Sequence, residues 1–311
     1  MRPLSTSQLV DARTRQWSLD LVEKLKGAES PVRLLPELVE PGTVLGDFEG
    51  IPVIATAAHD TAAAVAGCPA AGNDWAFLSS GTWSLLGVEL AAPVITQPAL
   101  DANLSNELGI SGTTRLLKNI CGLWPLQRCR EEWAAAGREV SWDQLIALAR
   151  KAPPFSAVID PDDPRFVAPP SMLQAIAGFC RDTSQHPPKD VGGTVRVVLE
   201  ALALKCRRVL MQLEEVVGRS LSTIHMVGGG VQNRLLCQWT ADACARRVVA
   251  GPVEATAAGN IVTQAMAVGA VGSLADARQI VARSFRPAEY QPHPSSAWDD
   301  ACARLENLIP K

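Results

Sequence analysis

Three short stretches set polar or glycine residues between apolar flanks. In VIATAAHDTAAAV (residues 53–65) an apolar run from Val53 to Ala58 stops at His59-Asp60-Thr61, and a run of small residues follows. A carboxylate at a strand-to-helix junction has two uses. It caps free helix N–H groups, or it takes the proton from an alcohol that attacks an electrophile. A serine hydrolase relay does not fit. The chain has no G-x-S-x-G elbow, and His59 and Asp60 are adjacent, a poor arrangement for a triad. The second stretch, SSGTWS (79–84), presents hydroxyl and backbone donors at one point; this is either a plain turn or a phosphate seat. The third, HMVGGGVQNRLL (225–236), puts three glycines between a strand and a helix. It is either a tight turn or a place where a nucleotide approaches the backbone. It is neither a Walker loop nor a dinucleotide fingerprint, because no Lys-Ser/Thr follows and no third spaced glycine is present.

These residues need elements to hold them. Residues 7–26 are expected to be helical and 31–50 loop-like, punctuated by Pro and Gly. IPVIATA (51–57) is expected as a buried strand, with a helix starting at Thr61. Residues 74–90 carry the signature of a hairpin turning at Ser79–Thr82. Residues 113–137 are expected to be helical, kinked or started by Pro125, and 152–170 irregular. A long amphipathic helix is expected over 191–217. Strand, glycine turn, helix, short strand, loop and helix follow over 222–272, with further helices at 274–285 and 297–308. Hairpin and crossover connections together predict an α/β fold with a mixed β-sheet flanked by helices.

Composition narrows the chemistry. The chain has 311 residues, 47% of them hydrophobic and 20% charged, with a net charge of −3. Lysine and arginine are scattered, so no nucleic-acid partner is expected. Apolar runs are too short for a membrane span, and the first residues lack a secretion signal. A cytoplasmic location is therefore expected, with the eight cysteines mostly free thiols; no CxxC pair suggests a metal cluster.

In combination, AAHDTAAAV, FLSSGTWSLLGVE, NELGISGTTRLLKNICGLWPLQR and IHMVGGGVQNRLLCQWTADACARRVVAGPVEATAAGNI resemble the FGGY carbohydrate kinases, in the family's order and over nearly the whole chain. The opening STSQLVDARTRQWS fits the same pattern. The resemblance implies an actin-like (ribonuclease-H-like) ATPase fold. It also implies transfer of the ATP γ-phosphate to the 1-hydroxyl of L-rhamnulose, with ATP and Mg2+ required. Asp60 falls on the catalytic base. His59, Asp60, Thr61 and Asn119 fall on sugar-binding positions, and Thr82, Gln127 and Gly229 on ATP-binding ones. On the expected helix, Asn119 and Gln127, eight residues apart, would share one side.

The resemblance also implies a domain division. Residues 1–68 would be the remnant of a sugar-binding first domain that is incomplete, and 69–311 the nucleotide-binding domain. The family's opening D-x-G loop, which helps hold magnesium, has no counterpart in this sequence, so the metal ligand is expected to lie outside it. Weak or absent turnover from this chain alone follows, together with exposed apolar edges and a possible complementing N-terminal fragment. A non-catalytic nucleotide- or sugar-binding module on the same fold is the alternative. An actin-like ATPase or chaperone relative would leave His59-Asp60-Thr61 without a purpose.

Overall fold

The computed structural model describes residues 6–24, 35–57, 59–293 and 295–309. Near the start, only Leu19–Lys24 (α1) is an α-helix. The helix expected from residue 7 is pre-empted because Asp11 Oδ1 accepts hydrogen bonds from the N–H groups of Arg13 and Thr14, a local turn that competes with helix. The expected residues 25–26 lie outside the described ones. Strands β1 (Val44–Phe48) and β2 (Ile51–Ile54) pair antiparallel. They turn at Glu49 and Gly50, both at positive φ, as a two-residue hairpin requires. This corrects two expectations. Part of 31–50 is a strand, and the strand at 51–54 is not buried. Val44, Leu45, Phe48, Ile51 and Val53 are all exposed, because this pair is a separate two-stranded sheet. An apolar run is buried only where another layer packs on it.

Helix α2 (Asp60–Ala66) follows, then the expected hairpin of β3 (Trp75–Ser80) and β4 (Trp83–Leu90). After α3 (Gln97–Asp101) come β5 (Ser105–Leu108) and β6 (Thr114–Cys121), and then α4 (Trp124–Ala135). The helix expected over 113–137 is thus half strand. TRLLKNIC pairs with β4 on one side and β5 on the other, and a separate core packs on each of its faces, Leu116 and Ile120 entering one and Leu117 the other, which hides the alternation of an ordinary strand. Pro125 does not kink a helix. It stands in the first turn of α4, where its missing N–H is not needed.

Helices α5 (Trp142–Lys151) and α6 (Met172–Asp182) were not anticipated, although each begins at a serine cap, Ser141 and Ser171. The remainder follows expectation: α7 (Val191–Val217), β7 (Thr223–Val227), α8 (Arg234–Cys244), β8 (Arg247–Ala250), α9 (Ala255–Ala267) and α10 (Leu274–Phe285). A short β9 (Ala288–Tyr290) and α11 (Ser296–Leu308) complete the chain.

The main sheet has seven strands in the order β5-β6-β4-β3-β7-β8-β9. The β3–β7 and β7–β8 pairs are parallel and the others antiparallel, so the sheet is mixed. Strand alternation then sorts its side chains. Leu78, Leu86, Val88, Leu116, Ile224 and Met226 enter the larger core, which also contains the buried face of α7. Trp75, Phe77, Leu117 and Val227 enter a smaller core beneath α2 and the start of α9, with Leu85 packed against it. Asn119 is paired with Leu85, and Arg115 with Glu107, so all four share the α2 face. A slip of one residue would turn them away from it.

His225, on the same face, is buried and meets Trp75 edge-on at 5.6 Å. Burial, then the nearby Arg247 and Arg278 charges, push its pKa from 6.5 down to about 4. The folded state therefore resists protonating it, whereas the unfolded chain takes up the proton. Stability is expected to be fully present above about pH 6.5 and to fall as pH drops toward 4. His225→Gln should flatten that slope, which urea melts at pH 7 and pH 4.5 would measure.

Among the described residues all eight cysteines are free thiols, seven of them buried. No helix among them is long and apolar enough to cross a membrane.

Candidate active site

The tip of the β3–β4 hairpin organises two cavities. The carbonyls of Gly81 and Thr82 accept from Leu123 N (2.8 Å) and Trp124 N (3.1 Å). A Cβ on Gly122 would lie 2.5 Å from Gly81 O, so the β6–α4 joint closes on the tip only as glycine. That contact brings Gln127, in the first turn of α4, beside Thr82. The triple-glycine turn closes from the other side. A Cβ on Gly230 would lie 2.1 Å from Ser80 Oγ, and one on Gly228, whose φ is +88°, 2.7 Å from Ser80 O. Gly229 differs, since nothing lies within 4 Å of its Cβ position. The outer two glycines serve packing against Ser80, and the middle one faces open space.

That space is a cavity of about 570 Å³, lined by Thr82, Gln127, Gly229, Gln232, Trp142 and Asp143 among others. The three residues expected to bind ATP therefore meet in one place. A Gly229→Val change should leave the melting temperature unchanged while weakening ADP binding by about tenfold or more, as titration calorimetry would show; a lower melting temperature would mean the glycine serves only the turn.

On the other side of the tip, the next residue, Trp83, lines a second cavity of about 550 Å³ with His59, Asp60, Leu85, Glu107 and Asn119. Asp60 is the first residue of α2 and His59 its N-cap, which makes no side-chain capping bond. Asp60 Oδ1 accepts from Thr61 N at 2.6 Å and Thr61 Oγ1 at 3.3 Å. Its side chain is still 77% exposed, which leaves the carboxylate available to a ligand. Thr61 is buried and does not line this cavity; its hydroxyl is turned to Asp60. His59 stands between two carboxylates, with Nε2 3.4 Å from Asp60 Oδ1 and Nδ1 3.8 Å from Glu107 Oε2.

Asn119 and Gln127 do not share a helix. A strand and a helix joined at Gly122 carry them to different cavities. Glu107 and Arg115 were not singled out from the sequence. The available signal was a pair of opposite charges flanking the Gly-Ile-Ser-Gly turn of NELGISGTTR, the pattern of a cross-strand ion pair.

Magnesium is the metal that the resemblance implies. Among the described residues no group of three His, Cys, Asp or Glu is placed to hold a metal ion. Asp143 offers one carboxylate in one cavity; the other has two, Asp60 and Glu107, the second already paired with Arg115. That donor set fits an ion carried in by nucleotide phosphates, which ordinarily needs only one or two protein carboxylates, rather than a resident one.

A sequence profile described as "FGGY family of carbohydrate kinases, C-terminal domain" matches residues 76–268. Rhamnulokinase of Bacteroides thetaiotaomicron is 44% identical over 98% of this chain and 64% of its own length. Rhamnulokinase of Enterococcus faecalis is 41% identical over 93% of this chain and 60% of its own. The chain thus spans less than two thirds of the length of these relatives. Among solved structures, Plasmodium falciparum glycerol kinase with ADP superposes with a TM-score of 0.70 at 17% identity, covering 97% of this chain and 62% of that one. The fold is that of the actin-like ATPases, a mixed sheet between helical layers. The chain belongs to the FGGY family of carbohydrate kinases.

Proposed function

We propose that this chain carries the phosphoryl-transfer site of an ATP-dependent kinase acting on the 1-hydroxyl of L-rhamnulose. The observation that carries the reading is the hairpin tip, whose consecutive residues Thr82 and Trp83 line separate cavities. One holds the residues expected to bind nucleotide, the other an exposed carboxylate suited to accept an alcohol proton. Thr82, Gln127 and Gly229 bind ATP; His59 and Asn119 bind the sugar; Asp60 is the general base, with Thr61 setting its carboxylate. Phosphoryl transfer asks mainly for positioning and charge stabilisation, which this arrangement supplies once magnesium arrives with ATP. The sugar is inferred from the relatives' names.

Residues 1–68 belong, on this reading, to the sugar-binding domain and 69–311 to the nucleotide-binding domain, in the cytoplasm. Full turnover needs the part of the relatives' length that this chain does not match. The exposed apolar β1–β2 pair supports that. The second reading, a binding module without catalysis, needs only the two cavities and no proton acceptor.

Ketose-dependent ADP release separates the two. It should be weak or absent in the 311-residue chain and robust in a chimera that supplies the unmatched length from a rhamnulokinase relative, with L-rhamnulose preferred over L-fuculose. A folded chimera that binds ATP and ketose without turnover would leave the binding module standing.

A further inference from the structure

Behind His59 lies an ion pair between strands. Arg115 Nη2 is 2.8 Å from Glu107 Oε2, and their side chains are only 1% and 8% exposed. Glu107 nevertheless lines the His59–Asp60–Asn119 cavity. His59 Nδ1 is buried and has no hydrogen-bond partner; Glu107 Oε2, 3.8 Å away, is too far to be one and is itself paired with Arg115. Buried polar atoms left in this state are costly unless something fills them. A hydroxyl suits the gap, because it donates to a carboxylate and accepts from an imidazole N–H with one oxygen. The charges lining the cavity point the same way. Its described residues include two carboxylates, Asp60 and Glu107, and no lysine or arginine. The guanidinium that balances Glu107 sits behind it, out of a ligand's reach.

We propose that Glu107 is a substrate-binding and specificity residue. Held by Arg115, its carboxylate accepts a hydrogen bond from a hydroxyl of a neutral polyol, keeps His59 beside Asp60, and with Asp60 turns away sugar acids. This rests on the assignment of the cavity to the sugar. A buried, charged acceptor discriminates strongly between a ligand that satisfies it and one that does not.

The test is titration calorimetry of the 311-residue chain with L-rhamnulose and with L-rhamnonate, an acid with the same number of carbons. Wild type is expected to bind the ketose, and the acid about tenfold more weakly or worse. Glu107→Gln should lose about tenfold or more in ketose affinity and narrow the gap to the acid. Asn119→Ala should weaken the ketose without narrowing that gap. If Glu107→Gln does not fold, because Arg115 is left as an unpaired buried charge, the double change Glu107→Gln with Arg115→Met removes both charges and carries the same expectation. Ketose binding that is unaltered in the Glu107 variants would overturn the role of Glu107 and leave the cavity assignment intact, as would wild type binding acid and ketose equally. A folded wild type that binds no ketose would overturn the assignment, and the proposal with it.

Discussion

Asp60→Asn is expected to lower phosphoryl transfer to L-rhamnulose by about 10²–10⁴-fold, the usual contribution of a general base, while leaving ATP affinity and melting temperature unchanged. The carboxylate is largely exposed, and its side chain is held only by Thr61 and a long contact to His59, so the fold does not depend on it. Asparagine keeps the shape and an acceptor oxygen but cannot take the proton. The chimera described above would be assayed for ADP release at saturating ketose, with ATP affinity followed by calorimetry. A variant that loses ATP binding instead would mean that Asp60 is structural and that the kinase reading of the cavity is wrong.

Gly259→Val is expected to do the most damage to stability. Helices α2 and α9 meet across small residues, Ala63 and Gly67 on one and Ala255 and Gly259 on the other. A Cβ at Gly259 would lie 1.8 Å from the carbonyl oxygen of Ala63, and one at Gly67 2.5 Å from that of Ala255. The obstacle is backbone, so no rotamer change relieves it; the helices have to part. Overpacking of this kind costs about 1–3 kcal/mol, and more where backbone must move. Because Asp60 opens α2 and its carbonyl accepts from Thr256 Oγ1 on α9, ketose affinity should fall together with the denaturation midpoint. Urea melts combined with ketose titration would check this. An unchanged midpoint would show that the two helices separate freely.

The parts of the fold that could be foreseen share a property. The β3–β4 hairpin, α7 and the strand–glycine–helix unit after it are specified locally, by turn residues and by a clear period of two or 3.6. The misreadings have physical causes outside the local sequence. TRLLKNIC carries no strand alternation because cores on both sides of the sheet bury both its faces. IPVI reads as a buried strand because an apolar run carries no record of which layer is present to cover it. The site followed the same division. His59-Asp60-Thr61, the hairpin tip and the glycine turn stand out as polar or flexible residues in apolar surroundings. Glu107 and Arg115 do not, because what sets them apart is register: β5 and β6 must pair before Glu107 comes to face a cavity formed by residues some fifty positions earlier, among them His59. The separate roles of the three glycines also needed coordinates, since only the contact with Ser80 distinguishes the middle one from its neighbours.

The hairpin tip has a mechanical corollary. Thr82 and Trp83 are joined by a single peptide bond; Thr82 is held by the β6–α4 joint and Trp83 is paired with Cys121 on β6. Neither residue is free to shift without carrying the other. On the proposed reading, a ketose that shifts Trp83 would move the threonine offered to the nucleotide, and thermodynamic reciprocity would require the converse to equal strength. The affinity measured for each co-substrate would then depend on whether the other has already arrived.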